Sequence, residues 1–307
     1  MKPRDIPSYA TMAEFYAALG GRMDQEVDLT VHRLEAIHRN APFRSPLFRA
    51  NYYSIVLVRR GRGRYFLDDH TAEIRDRTLY FTNPGHIKGF EIVQPSQGYV
   101  LTFAESFLKE YLGPGVLEEF PFLISEVVPP SYLPADAFAP FETLGAALLE
   151  EFDGASTYRF KIIGNLMAVL LLRIKEGPWK GYDPAEEGRG ASRLVHAFKQ
   201  NLEAHFRDLR EGRVESLHQV QDFARLQHLH PNYLGTVIRQ KTGKTILAWV
   251  AEKRTAEASA LLARSNLSIK EIAFRLGFTE PGHFSRFFKE QTGRTPSAHR
   301  RAAAEGP

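Results

Sequence analysis

Residues 268–295 read SIKEIAFRLGFTEPGHFSRFFKEQTGRT, and their spacing predicts two short helices joined by a tight turn. Ser268 and Glu271 spell S-x-x-E, a capping box in which each side chain satisfies the other's orphan backbone N–H. Ile269, Ile272, Ala273 and Leu276 follow at i, i+3, i+4 and i+7, the stripe of a helix with one buried face. Gly277 stands where that helix must stop and supplies the left-handed conformation of a C-terminal cap. Thr279, Glu280 and Pro281 open the second helix, with Thr279 as the expected N-cap. Phe284, Phe287 and Phe288 form its expected buried face, and Gly282, His283, Ser285, Arg286 and Lys289 the other. Two such helices make a helix-turn-helix, whose second helix fits a DNA major groove.

The pattern occurs twice. Val220-Gln-Asp-Phe-Ala224 matches Ile269-Lys-Glu-Ile-Ala273, and Leu234, Val237 and Ile238 match Phe284, Phe287 and Phe288. Lys241-Thr-Gly-Lys-Thr245 matches Gln291-Thr-Gly-Arg-Thr295, so the unit is duplicated about fifty residues apart. Between the copies, Thr245–Leu262 reads as one helix with Leu247, Val250, Ala258, Leu261 and Leu262 inward. Eighteen residues at about 1.5 Å each span about 27 Å, which sets two recognition helices near one DNA turn apart.

Residues from about 190 to 301 resemble the DNA-binding domain of the AraC/XylS-type transcription regulators, most specifically in Ser268–Ala273, Gly277-Phe278, His283–Lys289 and Gly293–Pro296. The resemblance implies two helix-turn-helix units reading consecutive major-groove segments, with double-stranded DNA and RNA polymerase as partners. Carried onto this chain, Gly282, His283, Ser285 and Arg286 of the second recognition helix and Asn232, Tyr233 and Thr236 of the first are candidates for DNA contacts. Arg286 has the planar fork for a bidentate bond to guanine. Arg239, Lys244, Lys289 and Arg294 are placed for phosphates, which position a protein without reading sequence. The first unit departs from the family pattern. His228 stands for the usual turn glycine, Gln219 and His230 for the usual caps, and Gly235 lies inside the recognition helix. Histidine is among the few non-glycine residues that tolerate positive φ, so the turn still forms.

Composition agrees with a divided chain. The 307 residues suffice for two domains, and 43% apolar content suffices for their cores. From Ala191 onward there are 19 Lys/Arg against 11 Asp/Glu, a balance of +8, whereas residues 1–190 hold 21 against 25, a balance of −4. A basic half joined to an acidic half is the charge pattern of a polyanion-binding module attached to a different one. No cysteine is present, which excludes disulfides and thiolate chemistry and fits the cytoplasm. No apolar run resembles a signal peptide, and Ile162–Ile174 is too short to span a membrane.

Upstream, Thr11-Met-Ala-Glu14 is a further capping box leading a short helix that Gly20-Gly21 stops. Val27–Leu34 alternates as a strand. From Phe48 to Phe103 the pattern is six or so strands: Asn51–Arg59, a Gly61–Gly63 turn, Arg64–Leu67, a turn at Asp68–His70, Thr78–Thr82, Glu91–Val93 and Tyr99–Phe103. Together these predict an α+β chain, a small antiparallel barrel or sandwich with accessory helices followed by an all-α domain, and a barrel of that size can hold one small ligand. The run Tyr53–Val58 and the turn Pro84-Gly85-His86 resemble the cupin-like effector domain of the same regulators. Residues 1–178 are then the effector-binding and dimerisation domain, 179–190 a linker, and 191–307 the DNA-binding domain. Tyr53, Ile55, Tyr65, Tyr80 and His86 are the candidate effector contacts, for a partly apolar organic molecule.

A metal cupin needs clustered histidines and a carboxylate, but this half has only His32, His38, His70 and His86, with no H-x-H pair. His86 reads better as a structural or pocket hydrogen-bonder than as a ligand. No G-x-S-x-G, P-loop or H-E-x-x-H occurs, so neither an enzyme nor a cofactor is expected. Ala135–Phe152 and Ser156–Lys175 read as helices, the second apolar almost all round. Both either pack on the barrel or, as the resemblance implies, one forms a homodimer interface. A competing reading keeps a small-molecule or metal cupin with non-specific nucleic-acid binding.

Overall fold

The computed structural model describes residues 6–9, 12–18, 28–37, 41–68, 70–125, 129–180 and 190–305. Thr11, Gly20-Gly21, Val27, His38, Asp69 and residues 181–189 of the expected linker lie outside the described residues. Packing divides the chain into two compact units. One is Met1–Ala104 with Ser125–Glu187, and the other is Glu105–Ile124 with Gly188–Pro307.

The first unit begins with β1 (Ser8–Tyr9), α1 (Met12–Ala18), β2 (Leu29–Arg33), α2 (Leu34–Ile37), β3 (Phe43–Arg44) and β4 (Phe48–Ala50). Two long strands follow, β5 (Tyr53–Leu67) and β8 (Ile87–Phe103), with β6 (His70–Ile74) and β7 (Thr78–Thr82) between them. The glycines at 61 and 63, expected to end a strand, instead sit in register shifts along one continuous β5. β8 pairs with β5 along its length, and the two bend together at these bulges. Gly98 makes this possible. It holds φ 136°, and a Cβ there would lie 1.9 Å from the Leu57 carbonyl oxygen.

The sheet has nine strands, in the order β1-β4-β8-β5-β7-β9 (β9, Ser131–Tyr132), with β2 and β3 also on β8 and β6 on β5. β1 runs parallel to β4, and every other pairing is antiparallel. Among the described residues the path does not return on itself. The cupin-like domain is therefore β-rich as expected, but as an open, folded mixed sheet rather than a small antiparallel barrel. Helix α5 (Ala135–Asp153) packs on β2, β5 and β8, and against α6 (Arg159–Glu176). α6 buries Ile163, Met167, Leu170, Leu171 and Ile174 but leaves Ile162, Val169 and Leu172 exposed.

The second unit is all helical: α3 (Glu105–Tyr111), α4 (Val116–Glu119), α7 (Ala191–Arg210), α8 (Val220–Leu226), α9 (Pro231–Thr242), α10 (Ile246–Arg264), α11 (Ile269–Arg275), α12 (Pro281–Thr292) and α13 (Pro296–Glu305). Its first two helices depart from expectation. Residues 105–124 fall within the 1–178 span assigned to one domain, yet α3 packs on α10 in the helical unit. Lys109 and Lys253, both fully buried, meet Glu105, Glu203 and Glu257 there.

Candidate nucleic-acid interface and ligand cavity

Each helix-turn-helix has its own core, and α10 serves both. Phe198, Phe206, Phe223, Leu234, Ile238 and Trp249 bury the first, with the start of α10 contributing Ile246, Trp249 and Val250. The end of α10 contributes Ala258 and Leu262 to the second, with Ile272, Ala273, Phe284 and Phe288. Burial of such side chains at about 25 cal/mol per Å2 dominates what holds the units together. Leu247, expected inward, is 60% exposed.

The caps explain why the degenerate first unit still folds. Asp222 accepts from the Gln219 N–H at 2.8 Å, as Glu271 accepts from the Ser268 N–H at 2.7 Å. His230 Nδ1 accepts from the Asn232 N–H, so this histidine does the work of a Ser/Thr cap. At the turns, His228 holds φ 55° where Gly277 holds φ 74°. The second recognition helix is capped at Glu280 and not, as expected, at Thr279. Arg254 fixes it from α10: its guanidinium lies 3.2 Å from the Phe278 ring centroid and its Nε donates to the Leu276 carbonyl at 2.8 Å. Burial pulls Arg254 down to about 10.

These supports leave matching faces on α9 and α12. Asn232, Tyr233, Thr236 and Arg239 are exposed on the first; Gly282, His283, Arg286 and Lys289 on the second, with Ser285 half-buried. Phe287, expected in the buried face, is half-buried, whereas its counterpart Val237 is buried. Arg286 Nε pairs with Glu290 Oε1 at 3.0 Å, and His283 Nε2 lies 3.8 Å from Glu280. Thr236 Oγ1 donates to the Asn232 carbonyl at 2.8 Å. Beyond the helices, Arg294 is exposed but its counterpart Lys244 is not. Lys244 Nζ pairs with Glu252 Oε2 at 2.5 Å and lies 4.5 Å over the Trp249 ring. Burial holds its ammonium below the usual lysine range. Lys244 is thus a core-anchoring lysine and does not share the exposed face expected of a phosphate contact.

In the first unit, a cavity of about 100 Å3 opens on one face of the folded sheet. Its polar wall is a row of hydroxyls set by strand register: Ser54 pairs with Thr82 on one side and Thr102 on the other. In the next row inward-facing Val56 pairs with Tyr80 and Val100. Tyr65 packs on Tyr80 at 4.8 Å between ring centroids, and Phe15, Phe48 and Phe90 add aromatic surface. Burial pushes the Tyr65 and Tyr80 phenols above their usual range, so both are neutral donors. Lys88, 3% exposed, completes the wall, with Nζ donating to the Tyr52 carbonyl at 3.2 Å.

Of the five candidate effector contacts, Tyr65 and Tyr80 line this cavity. Tyr53 and Ile55 lie on the opposite face of β5, where Tyr53 stacks on Phe103 at 5.4 Å. His86 is buried with Nδ1 2.6 Å from Asp68 Oδ2, while Asp68 Oδ1 accepts from the Ile87 N–H; the pair braces the turn into β8 outside the cavity lining. Among the described residues no group of three or more His, Cys, Asp or Glu is placed to hold a metal ion. No helix among them is long and apolar enough to cross a membrane.

Residues 223–302 match the helix-turn-helix domain family, and residues 32–156 match the AraC-like ligand binding domain. The chain belongs to the AraC-type transcription regulators. It is a DNA-binding transcription regulator with an N-terminal ligand-binding domain. It is 23% identical over 290 residues to the HTH-type transcriptional regulator YfiF of Bacillus subtilis, covering 91% of this chain and 86% of that one. It is 27% identical over 175 residues to the arabinose operon regulatory protein of Escherichia coli, covering 57% and 56%, so the match spans about half that relative's length. Among solved structures it is similar to the DNA-binding domain of AdpA in complex with a target DNA, at 27% identity and TM-score 0.31, covering 36% of this chain and 90% of that one. It is also similar to ToxT from Vibrio cholerae, at 12% identity and TM-score 0.35, covering 89% and 98%. The named relatives are transcription regulators rather than enzymes.

Ser54, Thr82, Lys88 and Thr102 went unremarked in the sequence of this AraC-type chain, and Arg254 likewise. The run Tyr53–Val58 is buried on both faces, so alternation gave no sign of which parity meets the cavity. Arg254 acts on a ring 24 positions away, beyond any local spacing rule.

Proposed function

We propose that the chain is a sequence-specific regulator whose double helix-turn-helix docks α9 and α12 in consecutive major-groove segments, under control of a small molecule in the N-terminal cavity. The observation that carries the DNA half is the repeated exposure pattern of the two recognition helices: their inward positions are buried or half-buried in separate cores, and their outward ones carry Asn232, Tyr233 and Thr236, or His283 and Arg286. We assign base contacts to those five residues and Gly282, with Ser285 at the edge of the face, and phosphate contacts to Arg239, Lys289 and Arg294.

A homodimer through α6 belongs to the same proposal. Its exposed Ile162, Asn165, Val169, Leu172 and Glu176 recur at spacings of three and four, the a/d rhythm of a coiled-coil seam. RNA polymerase is the expected protein partner at the promoter, and the cytoplasm the expected site. Selection of binding sites from random duplexes with the full chain tests the reading. Enrichment of one motif with two half-sites about one helical turn apart supports it. Retention without enrichment would reduce the protein to a non-specific binder.

A further inference from the structure

We infer that Arg254 fixes the spacing and phase at which the two recognition helices read DNA, by locking the turn of the second helix-turn-helix to the entry of the first. This rests on the reading of α9 and α12 as the two DNA readers. The cores of the two units are separate, and α10 runs through both. Val250 ends its part in the first core, and Ala258 begins its part in the second. Arg254 lies midway, four residues from each, a distance of about 6 Å along the helix axis. A single helix that joins two bodies still bends gently. Fixing the angle between them takes a second contact, set off the helix axis.

The side chain of Arg254 makes that contact. Its Nε donates at 2.8 Å to the carbonyl of Leu276, the C-cap of α11, and its guanidinium carbon lies 3.2 Å from the Phe278 ring centroid. A guanidinium stacks on a ring through its face and donates through its edge at the same time, which an ammonium or a thioether does not. Phe278 in turn packs at 5.4 Å between centroids on Phe284 and on Phe287, both on α12. The place of Arg254 is passed to the second recognition helix through one ring.

Gly277 closes the seam from the other side. It holds φ 74°, and a Cβ there would lie 3.3 Å from the Leu217 backbone nitrogen and 3.7 Å from Arg254 Nη2. The turn of the second unit thus runs directly against Leu217, which belongs to the first. Leu217 packs on the first core, and its carbonyl accepts from the side chain of Gln219, the N-cap of α8, at 3.3 Å. Beside it the His218 N–H donates to His205 Nε2 at 3.0 Å. Two bridges, α10 and this seam, therefore hold α9 and α12 in one frame. A frame that does not yield fits one separation of half-sites, because each added base pair turns the groove by about 34° and lengthens it by about 3.4 Å.

The test is competition binding by the full chain to duplexes that carry its selected motif with one or two base pairs inserted or removed between the half-sites. The parent chain is expected to prefer one spacing over its neighbours by about 10-fold or more, a loss comparable to that of a mismatched base pair. Arg254→Met keeps the stem and removes the fork. It is expected to bring the neighbouring spacings within about 3-fold of the best one, with the base preference inside each half-site kept. Leu217→Ala, which opens the seam from the first unit, is expected to act in the same direction. A variant that merely loosened the fold would weaken binding at every spacing by one factor and leave the ratio intact. An unchanged ratio for folded Arg254→Met overturns the assignment and leaves the two-reader function standing; where that variant does not fold, the ratio for Leu217→Ala decides. A parent chain that binds every spacing equally overturns the assignment as well. A parent chain that selects no two-part motif overturns both.

Discussion

Lys109 and Glu257 lie 148 residues apart in sequence, yet Lys109 Nζ meets Glu257 Oε1 at 2.5 Å with both side chains buried. Around them Glu105 pairs with Lys253 at 2.8 Å, Arg210 with Glu257 at 3.3 Å, and Lys253 with Glu203. Burial works against every charge here. The carboxylates of Glu257 and Glu105 nevertheless hold Lys109 above the usual lysine range, while burial and the Lys109 charge hold Lys253 below it. The network ties α3 to α10, the helix shared by both helix-turn-helix cores. Only Ala104 separates α3 from β8, whose Val100 and Thr102 line the cavity.

Breaking one partner of such a buried pair strands the other. Glu257→Gln removes the nearest carboxylate of both Lys109 and Arg210, leaving Lys109 to Glu105 and Glu203 at 3.5 and 3.7 Å and Arg210 to Glu118 at 3.8 Å, and is expected to cost about 3–5 kcal/mol in urea unfolding. Replacing Lys109 and Glu257 together by Met removes both charges and is expected to recover part of that loss. A cost below about 1 kcal/mol for Glu257→Gln would show a solvated pair instead.

Acid should destabilise the helical unit through His205. Burial, with the charge of His218 stacked 3.8 Å away, lowers it to about 4, against opposing pulls from Asp208 and Asp222. The folded value lies below the unfolded one, near 6.5, so between those values the unfolded chain binds the extra proton. The contribution is complete above about pH 6.5 and is lost as pH falls towards 4, to a limit of about 3 kcal/mol. His205→Gln keeps an acceptor for the His218 N–H and should flatten the stability profile in that window. An unchanged slope in denaturant titrations at stepped pH would place the acid sensitivity elsewhere.

What was legible in the sequence follows from range. The capping box of Ser268 and Glu271, the turn at Gly277 and the inward positions Leu234, Val237, Ile238, Phe284 and Phe288 are set by residues within a few positions of one another, and they stand as read. Long-range facts were not legible. Gly61 and Gly63 look like a chain reversal, but they bend one strand because β8 follows it across the register shifts. The motif equates Lys244 with Arg294, yet Trp249 and Glu252 exist beside only the first and draw it inward. Ile55 and Val56 are equally apolar, and only the helix packed on one face and the cavity on the other distinguish them.

The difference between Lys244 and Arg294 gives a salt-dependence prediction. Each phosphate contact contributes about one unit to the slope of log affinity against log salt. Arg239→Ala, Lys289→Ala and Arg294→Ala should each reduce that slope by about one. Lys244→Ala should leave it unchanged while lowering the melting temperature, because it removes a buried pair. Equal slopes for Lys244→Ala and Arg294→Ala would restore Lys244 to the interface.

The exposed seam on α6 predicts concentration-dependent association. Leu172→Asp and Val169→Asp place charge on a face that the single chain leaves open, so the fold itself should tolerate them. Sedimentation at micromolar protein should then show a dimer for the parent chain and a monomer for both variants. A parent chain that stays monomeric at all concentrations removes α6 from consideration as an interface.

The two recognition helices should divide the reading of DNA unevenly. Arg286 is 82% exposed, and its pair with Glu290 is a surface i,i+4 contact worth about 0.3–0.5 kcal/mol, so it is readily exchanged for a base. Thr236 occupies the same place on α9, but its hydroxyl proton is spent on the Asn232 carbonyl, and it lacks the fork that bonds guanine twice. Gly235 weakens α9 further, since an interior glycine costs about 1 kcal/mol relative to alanine. A good bidentate contact carries about 1–3 kcal/mol of discrimination. Arg286→Ala should therefore flatten sequence preference over one half of the site in a selection experiment, and Thr236→Ala should change it little. If Thr236→Ala relaxes preference more than Arg286→Ala does, the first helix is the principal reader and the second the anchor.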